Sequence, residues 1–360
     1  MDFAFSQEQE MLRSSAREFL RARYPADRVA GIADGGGFDR SEWSAIADMG
    51  WTGISVPEDE GGAGLGFLEE IVLSEELGRS LYPGPFFSSV VLALPLIRAV
   101  RATDLVTEMV RGSTVVTLAW AGPDGTFDSD VPPKAEWNDE RLTAERLFVP
   151  DLAVSDVAIV IGAFADGVGV WTVPQGVDGA RRRTHPTVDS TRPMGELILH
   201  NVPAPLAGVI ASEQLAAVRD RALAALAAEA VGVGSAALDM AVAHVKEREQ
   251  FGRPVGTFQA VSHQLAQTFI ELETARSLAY WAGWAVSEGA PEAPAAAAAS
   301  KARASEAAVA ACERAIQVHG GIGFTWEHAL HRWYKRALGI SAFMGWPSEH
   351  RARVATAILD

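Results

Sequence analysis

Residues 317–324 read Gln-Val-His-Gly-Gly-Ile-Gly-Phe, and they close a long Ala-rich run. Adjacent glycines at 320 and 321 let a backbone come close to a ligand and offer amides to an anion. The same pair also suits an ordinary helix C-cap, and a lone Gly-Gly-x-Gly decides nothing. A partner for it lies upstream, where Arg248-Glu-Gln-Phe-Gly252 is followed by Phe258-Gln-Ala-Val-Ser-His263. An arginine is a planar, permanently charged fork suited to phosphate oxygens. Gln250 and Phe251 come next, and Gly252 lets the backbone turn. Taken alone, Arg-x-x-Phe-Gly fits a solvated arginine at a helix end beside a core phenylalanine. The two segments together fit an anion-binding arm.

Both segments sit in helical surroundings. Ala222–Arg248, Phe258–Glu288 and Ala295–Val318 predict three long helices, and the chain from Ser212 onward reads as helical. The opening third is helical too. Ser6 with Gln9 gives a capping-box pattern for a helix over 6–22. A helix near Ser41–Met49 stops at Gly50, one from Phe67 stops at Gly78, and an apolar one runs to about Val100. Between these helical parts the texture changes. Val115–Trp120, Leu147–Val149, Asp156–Ile161, Gly169–Val173 and Glu196–Leu199 are short, β-rich and separated by turn residues, with Pro203 and Pro205 closing the run. The fold class is therefore α+β: a helical domain over 1–114, a β-barrel or sheet domain over 115–208 and a helical bundle over 209–360.

The order helical, β, helical, with the two motifs above, resembles the acyl-CoA dehydrogenase family. Nearly the whole chain can be laid on that pattern, including Pro57-Glu-x-x-Gly-Gly62 and Glu75-Glu-Leu-Gly78. Phe324-Thr-Trp-Glu-His328 with Arg332 and Tyr334 makes the resemblance specific. It implies a C-terminal four-helix bundle and FAD as cofactor. It also implies that Arg248, Gln250, Phe251, Gln317, Gly320 and Gly321 reach in trans across a subunit interface to the pyrophosphate and adenine of a neighbour's FAD. The family acts as oxidoreductases on acyl-CoA thioesters, and an electron-transferring flavoprotein is the expected acceptor by analogy.

Two departures from the family pattern stand out. Dehydrogenation needs a carboxylate to take the acidic α-proton as hydride leaves for the flavin. Counted from Gln317, the family's usual Tyr-Glu-Gly-Thr glutamate falls on Met344, within Phe343-Met-Gly-Trp346. The alternative station on the long helix falls on Ala222. Three acids remain as substitutes. Glu229 stands two turns beyond Ala222 on a similar face, Asp220 on a different face, and Glu349 follows the 343–346 loop. A structural acid paired with a basic residue in the bundle is the plainer expectation for Glu229. The second departure concerns the ring-holding segments. Thr117–Trp120 offers Thr-Leu-Ala-Trp, Gly125–Asp130 poorly resembles the usual Gly-Ser-Asp, and Pro150 replaces a hydroxyl that hydrogen-bonds the flavin. Asp189-Ser-Thr-Arg192 keeps a Thr-Arg pair seen in relatives.

An intact trans arm beside a degraded ring pocket and a missing base suggests a short subunit of a heteromeric (α2β2) enzyme. A longer acyl-CoA dehydrogenase subunit would carry the base, and the substrate would be an acyl-CoA, with bulky ones such as a steroid side chain included. A self-sufficient homo-oligomer using Glu229, a non-catalytic acyl-CoA-binding or scaffolding relic, and a flavin monooxygenase on the same fold are the alternatives. Composition bounds all of them. With 31 basic and 46 acidic residues the net charge is −15, which disfavours nucleic acid as a partner. A polyanionic CoA ester must then find locally clustered Lys and Arg. Arg181-Arg-Arg183 is such a cluster, although a basic run beside a loop is usually solvated surface. Cys312 is the single cysteine, so an internal disulfide and a multi-Cys metal site are excluded, and no metal is expected. The opening Met1–Glu8 lacks a targeting pattern and no uncharged apolar run approaches a membrane span, so a cytoplasmic protein is expected.

Overall fold

The computed structural model describes residues 5–35 and 38–359; of the opening examined for a targeting pattern, Met1–Ala4 lie outside the described residues. The chain runs helical, then β, then helical, as the sequence predicts. The first part holds α1 (Gln7–Arg23), α2 (Ala26–Gly35), α3 (Arg40–Asp48), α4 (Phe67–Arg79), α5 (Leu94–Ala99) and α6 (Thr103–Val110). The capping box forms as read: Gln9 N–H donates to Ser6 Oγ at 3.2 Å and Ser6 N–H to Gln9 Oε1 at 3.0 Å. A wider, π-helical stretch over Phe87–Ala93 precedes α5. Pro95 explains it, since a proline cannot donate to the helical ladder and crowds the carbonyl four residues back.

The middle part forms two four-stranded sheets. One has the order β1 (Val116–Ala119), β4 (Val157–Phe164), β5 (Gly167–Pro174), β8 (Leu206–Ile210). The other has β2 (Glu136–Asn138), β3 (Arg141–Pro150), β7 (Met194–Pro203), β6 (Ala180–His185). Only β1 and β4 pair in parallel; the other ladders of both sheets are antiparallel. A shared core of Leu142, Val149, Val160, Trp171, Leu197 and their neighbours fills the space between them. One strand corrects the sequence expectation: β8 continues the sheet past the prolines that were expected to end it. The arginine run lies in β6, a strand not among those expected from the sequence.

The last part is α7 (Ser212–Glu247), a short hairpin of β9 (Glu249–Gln250) and β10 (Arg253–Pro254), then α8 (Gln259–Ser287), α9 (Ala293–His319), α10 (Leu330–Ala342) and α11 (Pro347–Leu359). α7 holds an 18-residue window apolar enough to cross a membrane by composition, yet 83% of that window is buried inside the protein. It is a core helix. α4 and α7 touch backbone to backbone at two glycines. A Cβ on Gly78 would lie 2.2 Å from the Glu229 carbonyl oxygen, and one on Gly232 would lie 1.9 Å from that of Glu75. Contacts divide the chain into two compact units. One takes 1–34, 67–82 and 223–360; the other takes 35–66 and 83–222.

Candidate functional site: a cofactor arm and a vacant base position

The arm is built at the ends of two helices. α7 gives way at Arg248, whose amide still donates to the His244 carbonyl at 2.8 Å. The β9–β10 hairpin then turns through Phe251 and Gly252, with φ +54 and +76. Glycine suits such a turn; a phenylalanine there is uncommon and marks a constrained tip. Arg248 and Gln250 are exposed, and Phe251 is 92% exposed. The Arg248 guanidinium has no hydrogen bond or ion pair among the described residues. α9 ends at His319, and Gly320 (φ +65) opens a tight turn over Gly320–Phe324. Nothing stands within 4 Å of where a Cβ on Gly320 or Gly321 would sit, so the backbone there is open to a ligand. Gln317 is exposed one turn earlier.

Three histidines to which the sequence reading gave no role of their own join these helix ends. The rings of His244 and His319 stack at 4.3 Å, and His328 closes on His319 at 4.5 Å. His319 Nδ1 lies 2.7 Å from the Ala315 carbonyl. Burial, then the neighbouring His319 ring, holds His244 and His328 below the ordinary imidazole range, so both are neutral near pH 7. The i, i+3 histidine spacing of residues 328 and 331 was visible in the sequence, but the pairing of 244 with 319 is a tertiary contact. Around the arm, Ile322, Phe324 and Trp326 are more than half exposed. Clustered exposed aromatics mark a surface that another molecule covers.

The loop at the expected base position is closed. Met344 is 4% exposed with φ +59, and Gly345 follows at φ +108. Lys301 of α9 reaches the carbonyls of Ser341 at 3.5 Å and Gly345 at 3.4 Å from behind. Burial lowers the Lys301 ammonium to about 7. Burial and then Lys301 push His350 down to about 3. Glu349 is exposed, and its carboxylate accepts the Trp346 amide at 3.0 Å. A thioether at 344 cannot take a proton.

The substitute acids are occupied. Glu229 is 4% exposed and accepts from Arg336 Nη1 at 2.5 Å; Arg336 is itself 2% exposed and also reaches the Tyr82 carbonyl at 3.4 Å. This is the basic partner the sequence suggested. Asp220 is buried and accepts from Arg219 Nε at 3.0 Å, and Ala222 is fully buried.

In the other unit the ring-holding positions face each other. The Thr117 hydroxyl donates to the Pro150 carbonyl at 2.5 Å, and both residues are buried. Phe148, at φ +51, remains 46% exposed. The weak Gly-Ser-Asp counterpart is also engaged, since Ser129 Oγ accepts from Arg219 Nη1 at 2.5 Å. Asp189 caps Thr191 N–H at 2.9 Å, and Arg192 stacks over Phe87 at 4.9 Å. Arg182 is structural, donating to the Leu152 and Ser155 carbonyls at 3.0 and 2.7 Å, while Arg181 and Arg183 stay exposed. Among the described residues no cluster of His, Cys, Asp or Glu could hold a metal ion.

Residues 215–359 match the model of the acyl-CoA dehydrogenase C-terminal domain, and residues 6–100 match that of the N-terminal domain. A solved structure, a variant of the Tcur3481-Tcur3483 steroid ACAD, is 32% identical with 98% of each chain covered and a TM-score of 0.88. The chain belongs to the acyl-CoA dehydrogenase family. Members of this family are FAD-dependent oxidoreductases acting on CH–CH bonds. Acyl-CoA dehydrogenase IpdE2 of Mycolicibacterium smegmatis is 29% identical over 97% of this chain and 98% of its own length. The ChsE4-ChsE5 complex from Mycobacterium tuberculosis contains a chain 26% identical, with 100% of this chain and 99% of that one covered and a TM-score of 0.91. Within this acyl-CoA dehydrogenase chain Arg248, Gln250, Phe251 and Gln317 are presented to solvent, and Met344 is not.

Proposed function

We propose that this chain is the subunit of a heteromeric acyl-CoA dehydrogenase that completes a partner's FAD site without supplying the catalytic base. One observation carries the proposal: Met344 fills the expected base position in a closed loop while the buried substitute acid, Glu229, is held by Arg336. The arm fits a dinucleotide. Arg248 would face the pyrophosphate, the open Gly320–Gly321 backbone would offer amides, and Gln317, Gln250 and Phe251 would flank it. The ring-holding positions of this chain do not fit, because Thr117 and Pro150 satisfy each other. When bound, FAD supplies the hydride acceptor, and the proton acceptor comes from a longer partner chain. Similarity to the Tcur3481-Tcur3483 steroid ACAD and the ChsE4-ChsE5 complex supports both the pairing and a bulky, steroid-like acyl-CoA. An electron-transferring flavoprotein is the proposed acceptor. The Glu229–Arg336 pair weighs against the self-sufficient alternative.

Co-expression with a longer family member that carries the base tests the proposal. A stable complex with one FAD per two chains is the expected result. Failure of every such homologue to co-purify, with this chain turning over acyl-CoA unaided, would sink it.

A further inference from the structure

The unit that carries the arm also holds a cavity of about 460 Å³, walled by α1, the start of α2, α4, α7 and α10. Its floor is apolar: Leu20, Tyr24, Ala236 and Trp333 are buried, with Met240 beside them. Its charged rim is unbalanced. Three arginines, Arg17, Arg21 and Arg79, face two carboxylates, Glu76 and Asp239. Arg17 grips Glu76 with both ends of its fork, at 2.9 and 2.6 Å, and the Glu76 side chain is 1% exposed. That pair is closed. Arg79 pairs with Asp239, whose side chain is 61% exposed and solvated. The Arg79 carbonyl also accepts the Trp333 indole N–H at 3.1 Å, which ties this arginine to the cavity floor. Arg21 is exposed at the mouth. Burial and then the Arg17 charge hold the Arg79 guanidinium below the usual arginine range.

We propose that this cavity binds a small apolar monocarboxylate, with the carboxylate on Arg79 and Arg21 and the hydrocarbon body against Trp333, Leu20 and Met240. Excess positive charge in a chain of net −15 singles out an anion. The apolar floor selects an amphipath over inorganic phosphate. The volume lies at the small end of the range for ligand pockets, about 300–1,000 Å³, which favours a compact acid over a CoA ester. The inference does not depend on the heteromer proposal, since it assigns a role to none of the residues of the arm or the base loop.

Isothermal titration of the full chain, in whatever assembly it purifies, tests it with 4-phenylbutyrate as probe and 4-phenyl-1-butanol as its neutral counterpart. Saturable binding of about one phenylbutyrate per chain is expected, weakened about tenfold or more for the alcohol and for Arg79→Gln, the loss of a charge-assisted hydrogen bond. Ala236→Trp, which fills the floor, should abolish binding. Equal binding of acid and alcohol, wild-type affinity in both variants, or no saturable heat up to about 10 mM probe, far weaker than a functional site, would overturn the proposal. If Ala236→Trp does not fold, Arg79→Gln and the alcohol decide alone.

Discussion

Glu229→Gln separates a structural acid from a catalytic one. In the wild type the carboxylate and Arg336 are both buried and joined at 2.5 Å. The substitution leaves Arg336 charged and 2% exposed and takes from it the carboxylate it meets at 2.5 Å. Breaking one side of a buried ion pair costs about 3–5 kcal/mol. At about 2–4 °C per kcal/mol for a unit of this size, the melting temperature should fall by about 6–20 °C. The double variant Glu229→Leu with Arg336→Met removes both charges and should recover most of the loss, because apolar replacement of a buried pair is often near neutral. Differential scanning calorimetry on the two singles and the double closes the cycle. Turnover of the assembled enzyme, measured below the variant's melting temperature, should stay within about twofold of wild type, a barrier change of under 1 kcal/mol. An unchanged melting temperature with turnover down by orders of magnitude and flavin retained would refute the reasoning and make Glu229 the base.

Three further outcomes follow from single residues. Arg248→Ala should weaken FAD binding by about tenfold to a hundredfold in the assembly that holds it, read from the visible absorbance after dialysis. Lys301 has its folded pKa lowered from 10.5 to about 7, so the unfolded chain binds more protons between those values. Its burial therefore destabilises below about pH 7, and the penalty fades as pH rises toward 10.5. Lys301→Met should accordingly melt higher than wild type at pH 7, with the gap narrowing by pH 9.5. Gly232→Ala should destabilise by about 1–3 kcal/mol or more in chemical unfolding, because its methyl would sit 1.9 Å from the Glu75 carbonyl oxygen.

Much of this was legible in the residues. Ser6 with Gln9, Gly50 after α3 and the Ala-rich run to His319 set local structure by short-range chemistry, and the structure places them as read. The arginine strand β6 was not legible. Its charge suggested only a solvated surface beside a loop, whereas its alternating side chains suit a strand beside β7, with Arg182 turned inward onto carbonyls. β8 was missed because Pro203 and Pro205 look like terminators, although a proline at the end of a strand costs its ladder nothing. At the site, the sequence picked out the Arg248–Gly252 and Gln317–Phe324 segments and the methionine at the expected base position. It could not show that Thr117 bonds to Pro150, that Arg336 holds Glu229 or that His244 stacks on His319. Those contacts join residues 33, 107 and 75 positions apart, which no local pattern encodes.

The visible spectrum and solution mass of the chain purified alone test the central claim most directly. A colourless protein, or one with far less than one FAD per chain, agrees with an arm that serves a partner's site. A yellow homo-oligomer with one FAD per chain that reduces its own flavin with an acyl-CoA would contradict it.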